Sequence, residues 1–263
     1  MSTTDTSSTP RVVVLTGVLG GIGSAIAELM HDEGYLVVGL DRCPPPDGVI
    51  PKSIDSFIQC DISKLVGDTE EAVVLGQSIV DATQKISGSN KLTALINNAA
   101  YQVVAPIEDT SMTMWSEVMA TNVGAPFALA KLFLPQLTAA KGSIINIASI
   151  HANLTKPEFV AYASSKGALV SLTKALAVEL GPKNVRVNAV LPAATSTPML
   201  MAGFDGKAEA FKALEGMHPL QRICEPKEIA EFVEFLAGDK CHFITGSCLQ
   251  IDGGIGSRLH DPV

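Results

Sequence analysis

Short runs of β-branched and aliphatic residues recur along the chain, separated by stretches whose apolar residues fall at helical spacing. Arg11–Thr16, Tyr35–Leu40, Leu92–Ile96 and Ser143–Ala148 are runs of the first kind. Their length and composition predict buried strands. Ser24–Met30 has apolar residues spaced for a helix, and Phe159–Leu180, rich in Ala, Leu and Val, predicts a longer one. Strands that alternate with helices predict an α/β fold, with a doubly wound, mostly parallel sheet and helices on both faces. No internal repeat or long low-complexity segment interrupts the pattern. At 263 residues the chain is read as a single domain over residues 11–254, flanked by a disordered polar tail over 1–10 and a C-terminal tail over 255–263.

The first predicted strand runs straight into Gly17-Val-Leu-Gly-Gly21-Ile-Gly23 and then into a helix. Strand, glycine-rich turn and helix are the setting in which such a motif binds a dinucleotide. Gly17 would permit the tight turn, Gly21 the approach of a pyrophosphate to the helix N-terminus, and Gly23 close packing of the helix on the sheet. The second strand ends in Asp41, where a carboxylate can accept hydrogen bonds from a ribose 2′-OH and repel a 2′-phosphate. Arg42 follows it and would welcome a phosphate or stack on adenine. The balance favours NAD over NADP.

A second chemical signal is Tyr162-Ala-Ser-Ser-Lys166. Residues four apart share a helix face, so a phenol and an ammonium lie one turn apart. Free tyrosine ionises near pH 10, about three units too high for efficient proton transfer at neutral pH. A cation held beside it would lower that value and give a general acid/base for an alcohol or a carbonyl.

These residues together resemble the short-chain dehydrogenase/reductase family, over nearly the whole chain from Arg11 to Gly254. The family's TGxxxGxG motif matches Thr16, Gly17, Gly21 and Gly23, and its NNAG motif appears as Asn97-Asn98-Ala99-Ala100. YxxxK is Tyr162 and Lys166, while Ser149 and Asn122 match the family's catalytic serine and helix asparagine. The segment 188–198 resembles the loop that holds the nicotinamide, and 243–254 resembles the closing strand. The resemblance implies a Rossmann-type fold, an NAD(H)-dependent oxidoreductase and a catalytic set of Asn122, Ser149, Tyr162 and Lys166. Lys166 would bind nicotinamide-ribose hydroxyls, and Asn122, through its backbone carbonyl or a water, would pass protons from Lys166 toward solvent. Gly17, Leu19, Gly21, Ile22, Gly23, Asp41, Arg42, Asp61, Ile62, Asn98, Ala99, Pro192, Thr195 and Thr197 would join Tyr162 and Lys166 in holding the cofactor. Asp61 has the equal alternative of a helix N-cap.

The chain departs from the family at several points. Ala100 and Ala193 stand where glycine is usual, a change that a backbone needing positive φ would resist. Val18 and Leu19 replace small or polar residues, with their backbone N–H groups expected to remain available for phosphate.

Charged residues are 17% of the chain, below the roughly 25% typical of soluble domains. Ala168–Val178 is apolar nearly all round, as buried helices are. In the resembling family such helices build dimers and tetramers, so a homo-oligomer is expected. A net charge of −8 argues against general nucleic-acid affinity. No apolar run reaches the roughly 18 residues of a membrane span, and residues 1–10 lack the basic start and apolar core of a signal peptide. Five scattered cysteines suggest neither a disulfide framework nor a metal site. A cytoplasmic protein is expected. His151 beside Ser149 and Tyr162, and an adaptable Met- and Phe-rich lid over 195–218, would face the substrate. That substrate is expected to be a secondary alcohol, polyol or hydroxysteroid and its ketone. The alternatives are a 3-oxoacyl-thioester reductase and a dinucleotide-binding regulator without turnover.

Overall fold

The computed structural model describes residues 10–259; all but the last residue of the tail expected over 1–10 lies outside them. Seven parallel strands form one sheet in the order β3-β2-β1-β4-β5-β6-β7. They are β1 (Arg11–Thr16), β2 (Tyr35–Asp41), β3 (Ser56–Gln59), β4 (Ala94–Asn97), β5 (Ser143–Ile147), β6 (Arg186–Pro192) and β7 (Cys248–Ile251). The helices are α1 (Gly21–Asp32), α2 (Glu70–Ser87), α3 (Met112–Met119), α4 (Ala125–Leu132), α5 (Leu134–Ala140), α6 (Val160–Leu180), α7 (Pro198–Gly203), α8 (Ala208–Met217) and α9 (Pro226–Ala237).

The uninterrupted apolar runs have a direct structural cause. Val12 and Val14 of β1 point to one face of the sheet, into a core with Ile79 of α2, Leu129 of α4, Leu137 of α5 and Leu180 of α6. Val13 and Leu15 point to the other face and meet Ile26 and Met30 of α1 and Val233 and Leu236 of α9. Both faces are covered, so the strand has no polar side to show. Consecutive strands wind away from β1 in opposite directions, and the order reverses between β1 and β4. A crevice opens there beyond the C-terminal strand ends, where ligands of such sheets bind.

Two expectations differ in detail. The closing strand is only β7: Gly246 sits at φ +72 and its N–H donates to the Val187 carbonyl, so residues before 247 turn instead of pairing, and Phe243 is fully exposed. Helix α6 is not buried all round, because Val178 stands 81% exposed on its outer face. The segment 195–218 forms α7 and α8, joined by an edge-to-face contact of Phe204 with Phe211 at 5.6 Å. Beyond Gly254, Ile255–Ser257 make a 3-10 turn and Arg258 donates to the Gly216 and Met217 carbonyls. No single helix among the described residues is long and apolar enough to cross a membrane.

Candidate active site

The glycine turn lies at the mouth of the crevice, and its glycines are required by contact. Gly17 adopts φ +65, and a Cβ there would come within 2.8 Å of the Ala99 Cα. A Cβ on Gly23 would stand 2.0 Å from the Gly17 carbonyl oxygen. Asn98 binds the turn to β4: its side-chain amide donates to the Thr16 and Gly17 carbonyls at 3.0 Å. The backbone N–H groups of Asn98 and Ala99 both donate to the Thr16 hydroxyl. Helix α1 begins at Gly21 without a side-chain cap. Its first-turn amides, Ile22 and Gly23 among them, have no intrahelical acceptor and form a natural seat for an anion.

The amides of Val18 and Leu19 are not free for phosphate, contrary to expectation. Val18 N–H donates to the Leu40 carbonyl at 3.3 Å, and Leu19 N–H to Asp41 Oδ2 at 3.0 Å. The apolar side chain of Val18 explains the geometry. It is fully buried and fills the space left by Gly39, where a Cβ would meet it at 2.7 Å. Ala100 and Ala193 replace glycine without strain, since neither has positive φ.

Asp41 is held at the end of β2 by two amides, Leu19 on Oδ2 and Cys43 on Oδ1. Beside it an open groove of about 570 Å³ is lined by Arg42, Gln59, Cys60, Asp61 and Lys64. Asp61 is an N-cap: its carboxylate accepts from the N–H and hydroxyl of Ser63, and Ile62 is buried behind it. Lys64 is paired with Glu71 at 2.6 Å.

At the other end of the crevice, Ser149 lies two residues beyond β5, where it caps a 3-10 turn over Ile150–Ala152 and accepts the N–H of His151. Tyr162 and Lys166 lie on the first two turns of α6. Lys166 is buried, donates to the Ile147 carbonyl at 2.8 Å, and lies 5.5 Å from the centroid of the Tyr162 ring. Burial pushes the phenol up to about 12, although the Ser149 hydroxyl bonded to it works in the opposite direction. Burial also pushes the ammonium down to about 7. The expected lowering of the tyrosine by the lysine is therefore not what this geometry gives. Desolvation outweighs pairing for both groups.

His151 stacks on Phe159 at 4.6 Å, meets the Tyr162 ring edge-on at 5.8 Å, and has Nδ1 at 3.2 Å from the Thr155 hydroxyl. Burial, then the charge of Lys156, lowers its pKa, so it stands neutral beside the phenol. Asn122 lies in a π-turn, Ala120–Gly124, between α3 and α4. Its side chain is engaged with the backbone of Tyr101 and the hydroxyl of Ser165. Pro192 ends β6. Thr195 turns its hydroxyl onto the Ala193 carbonyl, and Thr197 caps α7. Thr197 and Pro198 lie against the glycine turn, 3.0 Å from where a Gly21 Cβ would stand.

Two further contributors were not legible in the sequence: Phe159 braces His151, and Ser165 links Asn122 to α6. A separate buried chain from Asn97 to Asn146 to Thr173 joins β4, β5 and α6 and touches none of Ser149, Tyr162 and Lys166. The only local signal was the position of Ser165 within Tyr162–Lys166.

A family model described as enoyl-(acyl carrier protein) reductase matches residues 17–256. The chain belongs to the short-chain dehydrogenase/reductase family. As a member it is an NAD(P)-dependent oxidoreductase acting on CH–OH groups. This short-chain dehydrogenase/reductase is 34% identical over 259 residues to protein FixR of Bradyrhizobium diazoefficiens, covering 93% of this chain and 86% of the relative. It is 39% identical over 170 residues to cyclopentanol dehydrogenase of Comamonas sp., covering 64% and 68%. Aldohexose dehydrogenase of Thermoplasma acidophilum superimposes with a TM-score of 0.86 at 31% identity, over 97% of each chain. A 4-hydroxyisoleucine dehydrogenase complexed with NADH superimposes with a TM-score of 0.83 at 28% identity, over 95% of this chain and all of the other.

Proposed function

We propose that the chain is an NAD(H)-linked dehydrogenase that interconverts a secondary alcohol, with polyols and ring alcohols foremost, and its ketone. The observation that carries this reading is the convergence of Ser149, Tyr162 and a buried Lys166 at one end of a crevice whose other end is a glycine-lined helix N-terminus. The cradle fits a dinucleotide: Gly17 and Gly23 leave no room for side chains where the turn approaches α1. The first turn of α1 would hold the diphosphate, Asp41 the adenosine ribose, Lys166 the nicotinamide ribose, and Pro192, Thr195 and Thr197 would flank the nicotinamide. When bound, the nicotinamide supplies the hydride chemistry.

The residues of this chain manage the proton. Ser149 would hold the substrate oxygen where charge develops. Tyr162 Oη would give its proton to a ketone oxygen or take one from a carbinol. Lys166, when protonated, would stabilise the phenolate that results, and Asn122 would mark the route onward to solvent. His151 offers a neutral imidazole edge-on to the Tyr162 ring at 5.8 Å, which would suit a substrate with a second hydroxyl. NAD is favoured over NADP because Asp41 would repel a 2′-phosphate at the end of β2 and Asp61 lines the adjoining groove, while Lys64 there is paired with Glu71, leaving Arg42 as the remaining cation lining it. A dimer or tetramer in a reducing cytoplasm accords with the exposed Val178 and Phe127 and with five free thiols.

The test is NADH formation from NAD with a panel of secondary alcohols, polyols and hydroxysteroids, repeated with NADP and with Tyr162→Phe. Acetoacetyl-CoA with NADH or NADPH completes it, since the matching family model carries an acyl-thioester description and a relative of 31% identity is an acetoacetyl-CoA reductase. Turnover of alcohols with NAD that vanishes in Tyr162→Phe is expected. NAD binding with silence on every substrate would favour a regulator.

A further inference from the structure

Ser165 is fully buried one residue before Lys166. Its hydroxyl donates to the Tyr162 carbonyl at 2.7 Å and accepts from Asn122 Nδ2 at 2.9 Å. The same Asn122 amide donates to the Tyr101 carbonyl at 3.0 Å and accepts the Tyr101 N–H at 2.8 Å. A second tie closes the circuit. Ala105 N–H donates to the carbonyl of Glu158, a residue at φ +71 just before Phe159 and α6. Between the two ties, Val103 packs with Val118 and Ala161. The backbone on both sides of Tyr162 is thus fastened to one segment, 101–105, which is fastened in turn to the π-turn at Asn122.

The Tyr162 carbonyl already serves the helical ladder, so a hydroxyl bonded to it adds little to helix stability. What the hydroxyl adds is a bridge. Asn122 has no way to hold the Tyr162 turn except through Ser165, and without that oxygen one buried amide hydrogen loses its acceptor. We propose that Ser165 is a positioning residue, which fixes where the Tyr162 phenol stands by tying its helical turn to Asn122 and to the Tyr101 segment. This rests on the reading of Tyr162 as the proton-transfer group.

Thr173 is a matched control on the same helix. It too is fully buried, donates to a carbonyl one turn back, that of Leu169, and accepts from an asparagine, Asn146. The experiment compares Ser165→Ala, Ser165→Cys and Thr173→Val in melting temperature, kcat, KM and the carbon-13 resonance of Tyr162 Cζ at neutral pH. That resonance is assigned by its loss in Tyr162→Phe, which is practical with three tyrosines in the chain. Ser165→Ala is expected to move the resonance and to lower kcat on the order of 10- to 100-fold at nearly constant KM, as small misplacements of reacting groups do. Ser165→Cys is expected to recover part of both. Thr173→Val should lose comparable melting temperature and change neither. Equal effects of Ser165→Ala and Thr173→Val, or a wild-type resonance and kcat in Ser165→Ala, would overturn the proposal. If no alcohol is turned over, the dehydrogenase reading fails on its own, and the resonance alone decides whether Ser165 positions the phenol.

Discussion

Lys166 Nζ donates its hydrogen bond to the Ile147 carbonyl while lying 5.5 Å from the centroid of the Tyr162 ring. The cation is thus anchored to β5 and acts on the phenol through space. Burial moves the two groups in opposite directions, the phenol to about 12 and the ammonium to about 7.

Stability should record both shifts. Between pH 7 and about 9 the unfolded chain keeps the Lys166 proton and the native chain does not, so stability rises with pH by up to about 1.4 kcal/mol per unit; above that the thiols of Cys60 and Cys224, which burial raises to about 11 and about 12, oppose the rise. Above pH 10 the native chain retains the Tyr162 proton that the unfolded chain loses, and stability falls toward pH 12. Denaturant melts at several pH values check this. Lys166→Met should flatten the rise between about 7 and 9 specifically.

The same shifts separate the two directions of catalysis. Ketone reduction needs a protonated phenol, which burial preserves through neutral pH. Alcohol oxidation needs a base, so its kcat/KM should climb with pH across the range from 7 to 10 while reduction does not. Initial rates in both directions on one alcohol–ketone pair are sufficient. A common pH optimum would contradict the assignment.

Gly23→Ala should be among the most damaging single-methyl changes in the chain. The methyl would lie 2.0 Å from the Gly17 carbonyl, a distance relieved only by moving the turn off the helix. A loss of about 3 kcal/mol and of NADH binding by fluorescence titration is expected. Gly203→Ala, where a Cβ meets nothing within 4 Å, serves as the control.

Asp41→Asn keeps the shape that receives Leu19 and Cys43 but removes the charge. The ratio of kcat/KM for NADP to that for NAD should rise at least about tenfold, equivalent to 1.4 kcal/mol of relieved repulsion. No change would mean that Arg42 already governs the adenosine end.

Glu158 is an exposed non-glycine residue at φ +71. The left-handed conformation costs about 1–2 kcal/mol without glycine, partly offset by the greater freedom glycine has in the unfolded chain. Glu158→Gly should therefore hold or raise the melting temperature by calorimetry. A clear fall would show that the carboxylate, and not the backbone, matters there.

The central strands were legible because each is covered on both faces, so Val12–Leu15 could only be apolar. Gly17, Gly23, Tyr162 and Lys166 were legible because their chemistry lies within one turn of chain. The partners of Asn122 were not: Tyr101 and Ser165 lie 21 and 43 residues away, and nothing local announces either. For the same reason Leu19 was assigned to phosphate. Its amide is claimed by Asp41, 22 residues on, and only the folded β1–β2 pair brings them together. Tyr162 and Lys166 were paired correctly along the helix, but the depth of their burial, which decides the sign of both shifts, is a property of the whole crevice.

The side chain of Val18 occupies the volume that Gly39 leaves vacant. The two positions therefore share one fixed allotment of space across the β1–β2 junction, and neither can drift alone. A methyl gained at 39 requires atoms surrendered at 18, so among homologues these two sites should covary: small residues at 18 opening the way for alanine at 39, and bulky ones enforcing glycine. A double-mutant cycle on this pair would show the same compensation as a coupling energy.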